Sequence, residues 1–287
     1  LLSLSSVTGT NFAYQRYPLD YWLDDMVALE RTQLELWGVS QHVDLFELRA
    51  GAVTSLRRKL EQRDLQLYCV TPEQLMYPVN FASADPVILD HTFSMFRNAA
   101  ELASELGARF VFVTPGWGWE NEPVGDALAR AGENLRRFCD YAAGLGLDCV
   151  LEGLQRHESN LATDTATLDA VLRAVDAPNL GIALDTVAMA TGGEGIQDYF
   201  DRFGDLVWHV HLVDGTPSGH VAWGDGNLPL DEYLTSLRSL SYDGLMTAEI
   251  FGRPYIFEPT AAHAENLRAI ADAFGRIGQG HSAPLEG

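Results

Sequence analysis

The 287 residues contain no run of 18 or more apolar side chains, so no segment is long enough to cross a bilayer as a helix. The opening LLSLSSV lacks a basic n-region and is too short for a secretory signal. It reads as a first strand, and a cytoplasmic location is expected. Cysteine is scarce: Cys69, Cys139 and Cys149 show no CxxC spacing, and two of them sit in apolar strand-like runs. That pattern argues against a disulfide framework or a thiolate metal site and fits a reducing compartment. Basic residues are few as well, 19 Lys and Arg against 40 Asp and Glu, for a formal charge of −21. Such a surface repels phosphate backbones and anionic membranes, so no nucleic-acid and no membrane partner is expected. The cluster Arg57, Arg58, Lys59 and Arg63 reads as the solvated face of a helix. There is no low-complexity run, linker or composition break, so residues 1–287 are expected to form a single domain.

What the chain does have is alternation. Short apolar, β-rich runs occur at Leu2–Val7, Gln33–Trp37, Leu65–Val70, Arg109–Thr114, Asp148–Glu152, Leu180–Asp185, Leu206–Val213 and Leu245–Ile250. Helical stretches lie between and after them: Leu19–Arg31, Val53–Arg63, Pro86–Leu106, Val124–Leu145, Thr165–Val175, Ile196–Phe203, Pro229–Leu240 and Thr260–Arg276. In the third, Leu89, Phe93, Phe96, Ala100 and Ala103 make one stripe at spacings of three and four. Gly107, Gly146 and Gly244 each stand just before the next strand, as helix-ending residues do. Eight βα units predict an α/β fold, a closed (β/α)8 TIM barrel, with an open doubly wound sheet as the lesser reading. The tail from Gly278 is expected to fray.

Barrels of this kind place working residues at the C-terminal ends of the strands. Those positions give His42 after strand two, Thr71-Pro72-Glu73 after three, Trp117 and Trp119 after four and Glu152 after five. They continue with Asp185 after six, His209, His211 and Asp214 at seven and Glu249 at eight. Glu152, Asp185, His211 and Glu249 are three carboxylates and an imidazole, which would repel one another at a barrel mouth unless a cation joined them, so a divalent metal is expected. Each has a plainer role available. Asp185 could cap the following turn, Glu249 could pair with Arg253, and His209 and His211 could be hydrogen-bonded barrel fillers. His209 is read as structural, one layer below the mouth. Trp117, Trp119 and Trp223 lie in the longer loops, where they could simply pack or could present aromatic faces to a sugar.

The motifs LEGLQRHESN, WHVHLVD, GDGNLPL and TPEQLMYPVN, with Glu152, Asp185, His211 and Glu249 in that order, resemble the sugar isomerase/epimerase superfamily on the xylose-isomerase-type barrel. The resemblance runs from Leu2 to about Phe274 and points to the ketose 3-epimerases, most of all the fructoselysine 3-epimerase branch. It implies that the four residues bind Mn2+, with Mg2+ or Co2+ as alternatives, and that Glu152 and Glu249 also exchange the substrate proton. Glu158 would contact the substrate near its carbonyl and Arg156 would support the site. Two positions depart from the tagatose/psicose enzymes. Ala188 stands where they carry a histidine, and their loop arginine is absent from DGTPSGH, where His220 is the available replacement.

The chemistry agrees with the resemblance. Removing a proton beside a carbonyl needs a base at that carbon and positive charge at the developing oxyanion, and inversion needs a second acid on the opposite face. A metal-dependent sugar epimerase or isomerase working through an enediolate is therefore expected, with a small-molecule sugar as partner. The alternatives are a carbon-glycoside-cleaving subunit, which would have a partner chain, and a sugar-binding barrel without turnover. A homo-oligomer is compatible with any of these.

Overall fold

Whether the eight apolar runs close on themselves decides where their carboxylates point. In the computed structural model, which describes residues 2–39, 41–75, 78–252 and 254–279, they do close. The strands are β1 (Val7–Thr10), β2 (Gln33–Gly38), β3 (Gln66–Pro72), β4 (Phe110–Val113), β5 (Asp148–Glu152), β6 (Leu180–Asp185), β7 (Val207–His211) and β8 (Met246–Thr247). Each pairs in parallel with its sequence neighbours, and β1 pairs with β8 to complete the barrel. The helices are α1 (Leu19–Ala28), α2 (Ala50–Glu61), α3 (Pro86–Glu105), α4 (Val124–Gly144), α5 (Thr165–Val175), α6 (Thr186–Thr191), α7 (Ile196–Phe203), α8 (Leu230–Ser239) and α9 (Pro259–Gln279).

Strand alternation sorts the core into two layers. Val111, Val113, Leu151, Ile182 and Leu184 face outward to the helices, while Phe110, Phe112, Val150 and Ala183 fill the barrel with Tyr68 and Cys69. The same parity turns Glu35, Glu152, Asp185, His209, His211 and Thr247 inward, and all six are buried. All three cysteines are buried and unpaired.

The structure corrects two strand boundaries and adds one helix. The first strand is Val7–Thr10 and not Leu2–Val7, because Leu4–Ser6 forms a 3-10 turn closed when Ser3 N donates to Ser6 Oγ at 3.2 Å. Serine hydroxyls offer the backbone a local partner that competes with a ladder. The eighth strand is only Met246–Thr247, so Glu249 lies beyond it, where Ile250 N turns back to Ala248 O at 2.9 Å. A short helix, Thr186–Thr191, follows β6 directly and has no counterpart among the predicted segments. Gly107 and Gly146 take the expected left-handed conformation, φ 73° and 76°, whereas after α8 that conformation falls on Ser241. No helix of the described residues is long and apolar enough to cross a membrane. The basic cluster lies on and just after α2, and three of its four members form ion pairs. Lys59 and Arg63 meet Asp20, Arg63 also meets Asp24, and Arg57 meets Glu105. Most of the tail from Gly278, residues 280–287, lies outside the described residues.

Candidate metal centre

Glu152, Asp185 and His211 end β5, β6 and β7, and Glu249 reaches in from just past β8; one ligand atom from each of the four lies within 4.8 Å of all the others. His211 Nδ1 is 3.1 Å from Glu152 Oε1 and 2.9 Å from Glu249 Oε2. Asp185 uses one oxygen as a helix cap and leaves the other available. Its Oδ1 caps α6 by accepting from Val187 N at 2.8 Å and Ala188 N at 2.6 Å, while Oδ2 is buried without a hydrogen-bond partner. Glu249 Oε2 likewise has no partner at hydrogen-bonding angles, although His211 and His220 are close.

Beneath this set lies a residue the strand-end reading missed. Glu35, in the middle of β2, is fully buried and receives four donors. Oε1 accepts from Thr71 Oγ1 and from His211 Nε2 at 3.1 Å; Oε2 accepts from Thr247 Oγ1 at 2.6 Å and His209 Nε2 at 2.8 Å. Burial opposes its charge, but His211 and His209 outweigh this and hold Glu35 well below the usual carboxylate range. An ionised Glu35 keeps a histidine proton on Nε2, so Nδ1 is the nitrogen that faces Glu152 and Glu249 and could bind an ion once it gives up its own proton. The signal was in the sequence: QLELWG is an apolar strand with one acid at an inward position. His209 is the buried structural residue expected one layer down.

The upper cluster carries surplus negative charge. Burial, together with Glu249 and Asp185, lifts Glu152 to about 8 against the pull of His211. Burial disfavours a charged His211, yet Glu249 and Glu35 hold it well above the imidazole range. Without a cation the side chains must share protons. Glu35, His209 and His211 also form a compact group, but there the carboxylate oxygens are already saturated by donors. The unpartnered oxygens of Asp185 and Glu249 make the upper set the one whose donors fit a divalent ion.

Above it opens a cavity of about 150 Å³, lined by the three cluster carboxylates and by Glu158, His220 and Ala188 among others. Glu158 is half-buried, anchored by Gln155 N to Oε2 at 2.9 Å, and its pKa is raised by burial. His220 lies 3.3 Å from Glu249 Oε2 and 3.6 Å from Asp185 Oδ2. Burial lowers its pKa, but Glu249 and Asp185 bring it to about 10. The loop presenting His220 is tied at both sides: Asp214 pairs with Val221, and Phe251 N donates to His220 O at 2.9 Å. Asp214 itself accepts from Gly224, Gly226 and Leu228 N, a loop-holding role.

Three aromatic walls were also missed. Phe12 stacks on Trp37 with centroids 4.5 Å apart, and Phe251 packs edge-on against both. Phe12 follows the true end of β1, so the misplaced first strand hid it. Trp37 Nε1 donates to Glu73 Oε2 at 3.0 Å. Arg156 and Trp117 do not line this cavity. Arg156 is exposed and bidentate to Glu120 at 2.8 and 2.7 Å, and Trp117 is 38% exposed on an adjoining cavity. His42 is engaged with Asn11 and Tyr17 O, and Trp223 is buried with Nε1 on Leu212 O, so both pack. Arg253, the alternative partner of Glu249, lies outside the described residues.

A family model described as the xylose isomerase-like TIM barrel matches residues 25–273. The chain is similar to fructoselysine 3-epimerase of Escherichia coli O157:H7, 28% identical over 248 residues, or 86% of this chain and 90% of that protein. It is similar to ketose 3-epimerase of Arthrobacter globiformis, 25% identical over 208 residues, 68% of this chain and 71% of the relative. Among solved structures, the IOLI protein with a bound zinc atom matches with a TM-score of 0.74 over 97% of this chain and 99% of that one; at 14% identity it shows the shared fold. The matched span covers seven of the eight strands, the barrel is closed, and the epimerase relatives belong to the branch that the strand-end motifs resemble. The chain belongs to the xylose isomerase-like TIM barrel family.

Proposed function

We propose that this chain is a divalent-metal-dependent epimerase or isomerase of a ketose or ketose derivative, with 3-epimerisation as the favoured reaction. The observation that carries the reading is the buried convergence of ligand atoms from Glu152, Asp185, His211 and Glu249, with His211 oriented by Glu35. These four residues would hold the ion, and their oxygen and nitrogen donors favour Mn2+, then Mg2+ or Co2+. A structure of the same fold with a bound zinc atom and the epimerase relatives support it. The ion, when bound, would supply positive charge where the substrate's oxygens become anionic.

The chain's own groups do the proton work. One of Glu152 and Glu249 takes the proton from the carbon beside the carbonyl, giving an enediolate of the substrate. The other returns a proton on the opposite face, so the C–H bond broken is replaced by one of inverted configuration with no net redox change. Glu158 and His220 border the same cavity and would bind hydroxyl or carbonyl oxygens. An aldose–ketose isomerase would use the same residues and differ only in the carbon that receives the proton. The test is a panel of keto-sugars in deuterated water with Mn2+, followed by NMR. Deuterium entering at the carbon next to the carbonyl, with the epimer accumulating, is expected. No label uptake from any keto-sugar by the metal-loaded protein would overturn the reading.

A further inference from the structure

Beside the inner cavity lies a second of about 560 Å³ between the loops after β4 and β5, and the two share Leu75 and Glu158. At about 10–15 Å³ per water-sized group, the inner cavity has room for about one hexose. The outer one is several times larger and adjoins it, so a substrate filling both would be longer than a monosaccharide. Its wall carries Trp117 and Trp119, 38% and 61% exposed, edge to face at 5.0 Å.

Exposed indoles on a loop carry little meaning unless the loop is fixed, and this one is. Asn80 takes both backbone groups of Trp117, at 3.1 and 2.8 Å, and Asn160 both of Gly118, at 2.8 and 3.0 Å. Trp119 N donates to Glu122 Oε1 at 2.9 Å, and Glu122 is clamped by Arg130. Gly118 is required, since a Cβ there would meet Ala127 Cβ at 2.5 Å. The two indoles are thus held out on a tied frame, at the cost of exposed apolar area.

We infer that the outer cavity is a subsite for a glycosyl residue carried by the keto-sugar, so that the substrate class is a keto-disaccharide or similar glycoside. This deepens the proposed epimerase activity and rests on it. The wall selects the occupant. Indole faces match the C–H face of a pyranose ring. The Arg156–Glu120 pair and Glu158 supply donors and acceptors for hydroxyls. Among the described lining residues Arg156 is the one guanidinium, and its bidentate pairing with Glu120 leaves neither group free for a phosphate or an amine.

Isomaltulose, maltulose, fructose and fructosylglycine serve as probes with the full-length, Mn2+-supplemented protein. Binding is measured by calorimetry and label uptake by NMR on the same sugars. At least one keto-disaccharide should bind about tenfold tighter than fructose, and Trp119→Ala should bring that ratio to within about twofold. Trp119 is exposed enough for the variant to fold, which circular dichroism checks. Equal binding of the disaccharides and fructose, or an advantage that survives both Trp119→Ala and Trp117→Ala, would overturn the subsite. So would an advantage confined to fructosylglycine and lost in Glu120→Gln. Label uptake without a disaccharide advantage removes the subsite and keeps the epimerase; Trp119-dependent disaccharide binding without label uptake upholds the subsite and removes the activity.

Discussion

Glu35 works through His211 and not on substrate. With its four donors, Glu35→Gln would keep the shape but replace an ionic acceptor with an amide that can accept on only one side. His211 Nε2 then loses its charged partner and its proton is no longer held there. Outer partners of this kind contribute about 10–100-fold in metal affinity. Glu35→Gln should therefore weaken Mn2+ binding by that factor in chelator competition, and unchanged affinity would make Glu35 a packing residue only. Glu152→Gln and Glu249→Gln test a different step. Each keeps a neutral oxygen near the ion and loses the base, so label exchange should fall by at least about 10²-fold even with excess Mn2+ restoring occupancy. Exchange in Glu249→Gln that merely tracks metal content would remove it from the proton-transferring pair. The four cluster residues were legible because each ends or follows a strand in sequence. Glu35 was not, because it sits mid-strand and only the alternation of QLELWG marks it as facing inward.

The elements show where legibility ends. Strands β5 and β6 and helices α5 and α7 fall at the expected residues, since polar or turn residues bound each run. Strand β1 slid because Leu2, Leu4 and Val7 look strand-like while the serines between them satisfy their own backbone. Helix α6 is too short for a periodic stripe, and the Asp185 carboxylate that starts it also reads as a ligand. Helix α9 carries a prediction of its own. His263 is buried against Tyr14, 5.2 Å between rings, with Nδ1 on Pro259 O at 3.0 Å and Nε2 unpartnered. Burial lowers its pKa from 6.5 to about 4. The unfolded chain therefore binds a proton that the folded one refuses between these values, so this contribution is complete above pH 6.5 and is lost as pH falls toward 4. The loss is up to about 3 kcal/mol at 1.36 kcal/mol per unit. Urea melts at pH 7 and pH 5 should show a smaller drop for His263→Leu than for the parent chain. Equal drops would mean that His263 charges without cost.

At the scale of the whole molecule, the closed barrel was legible from counting βα units, because a parallel strand pair needs a crossover and eight in succession leave few other solutions. The aromatic lining was not, since Phe12, Trp37 and Phe251 meet only when the first, second and eighth strands close the ring. Charge was legible too, and it bears on substrate. The formal −21 lies over a pocket whose described lining includes Glu73, Glu152, Glu158, Asp185 and Glu249, with His220 as its one basic group and no lysine or arginine. A bound divalent ion would offset part of that charge at the reacting end only. A phosphate at the far end of a ketose would approach an acidic surface and find no arginine fork among the described lining residues, so neutral keto-sugars should be turned over in preference to phosphorylated ones. For fructose against fructose 6-phosphate, kcat/KM for label exchange should differ by about tenfold or more in favour of the neutral sugar at low ionic strength. Because the opposing field is screened within about 8–10 Å near 0.1–0.15 M salt, the ratio should shrink as salt rises. A preference for the phosphate ester, or a ratio independent of salt, would show that the net acidity of the molecule does not govern which ketoses reach the site.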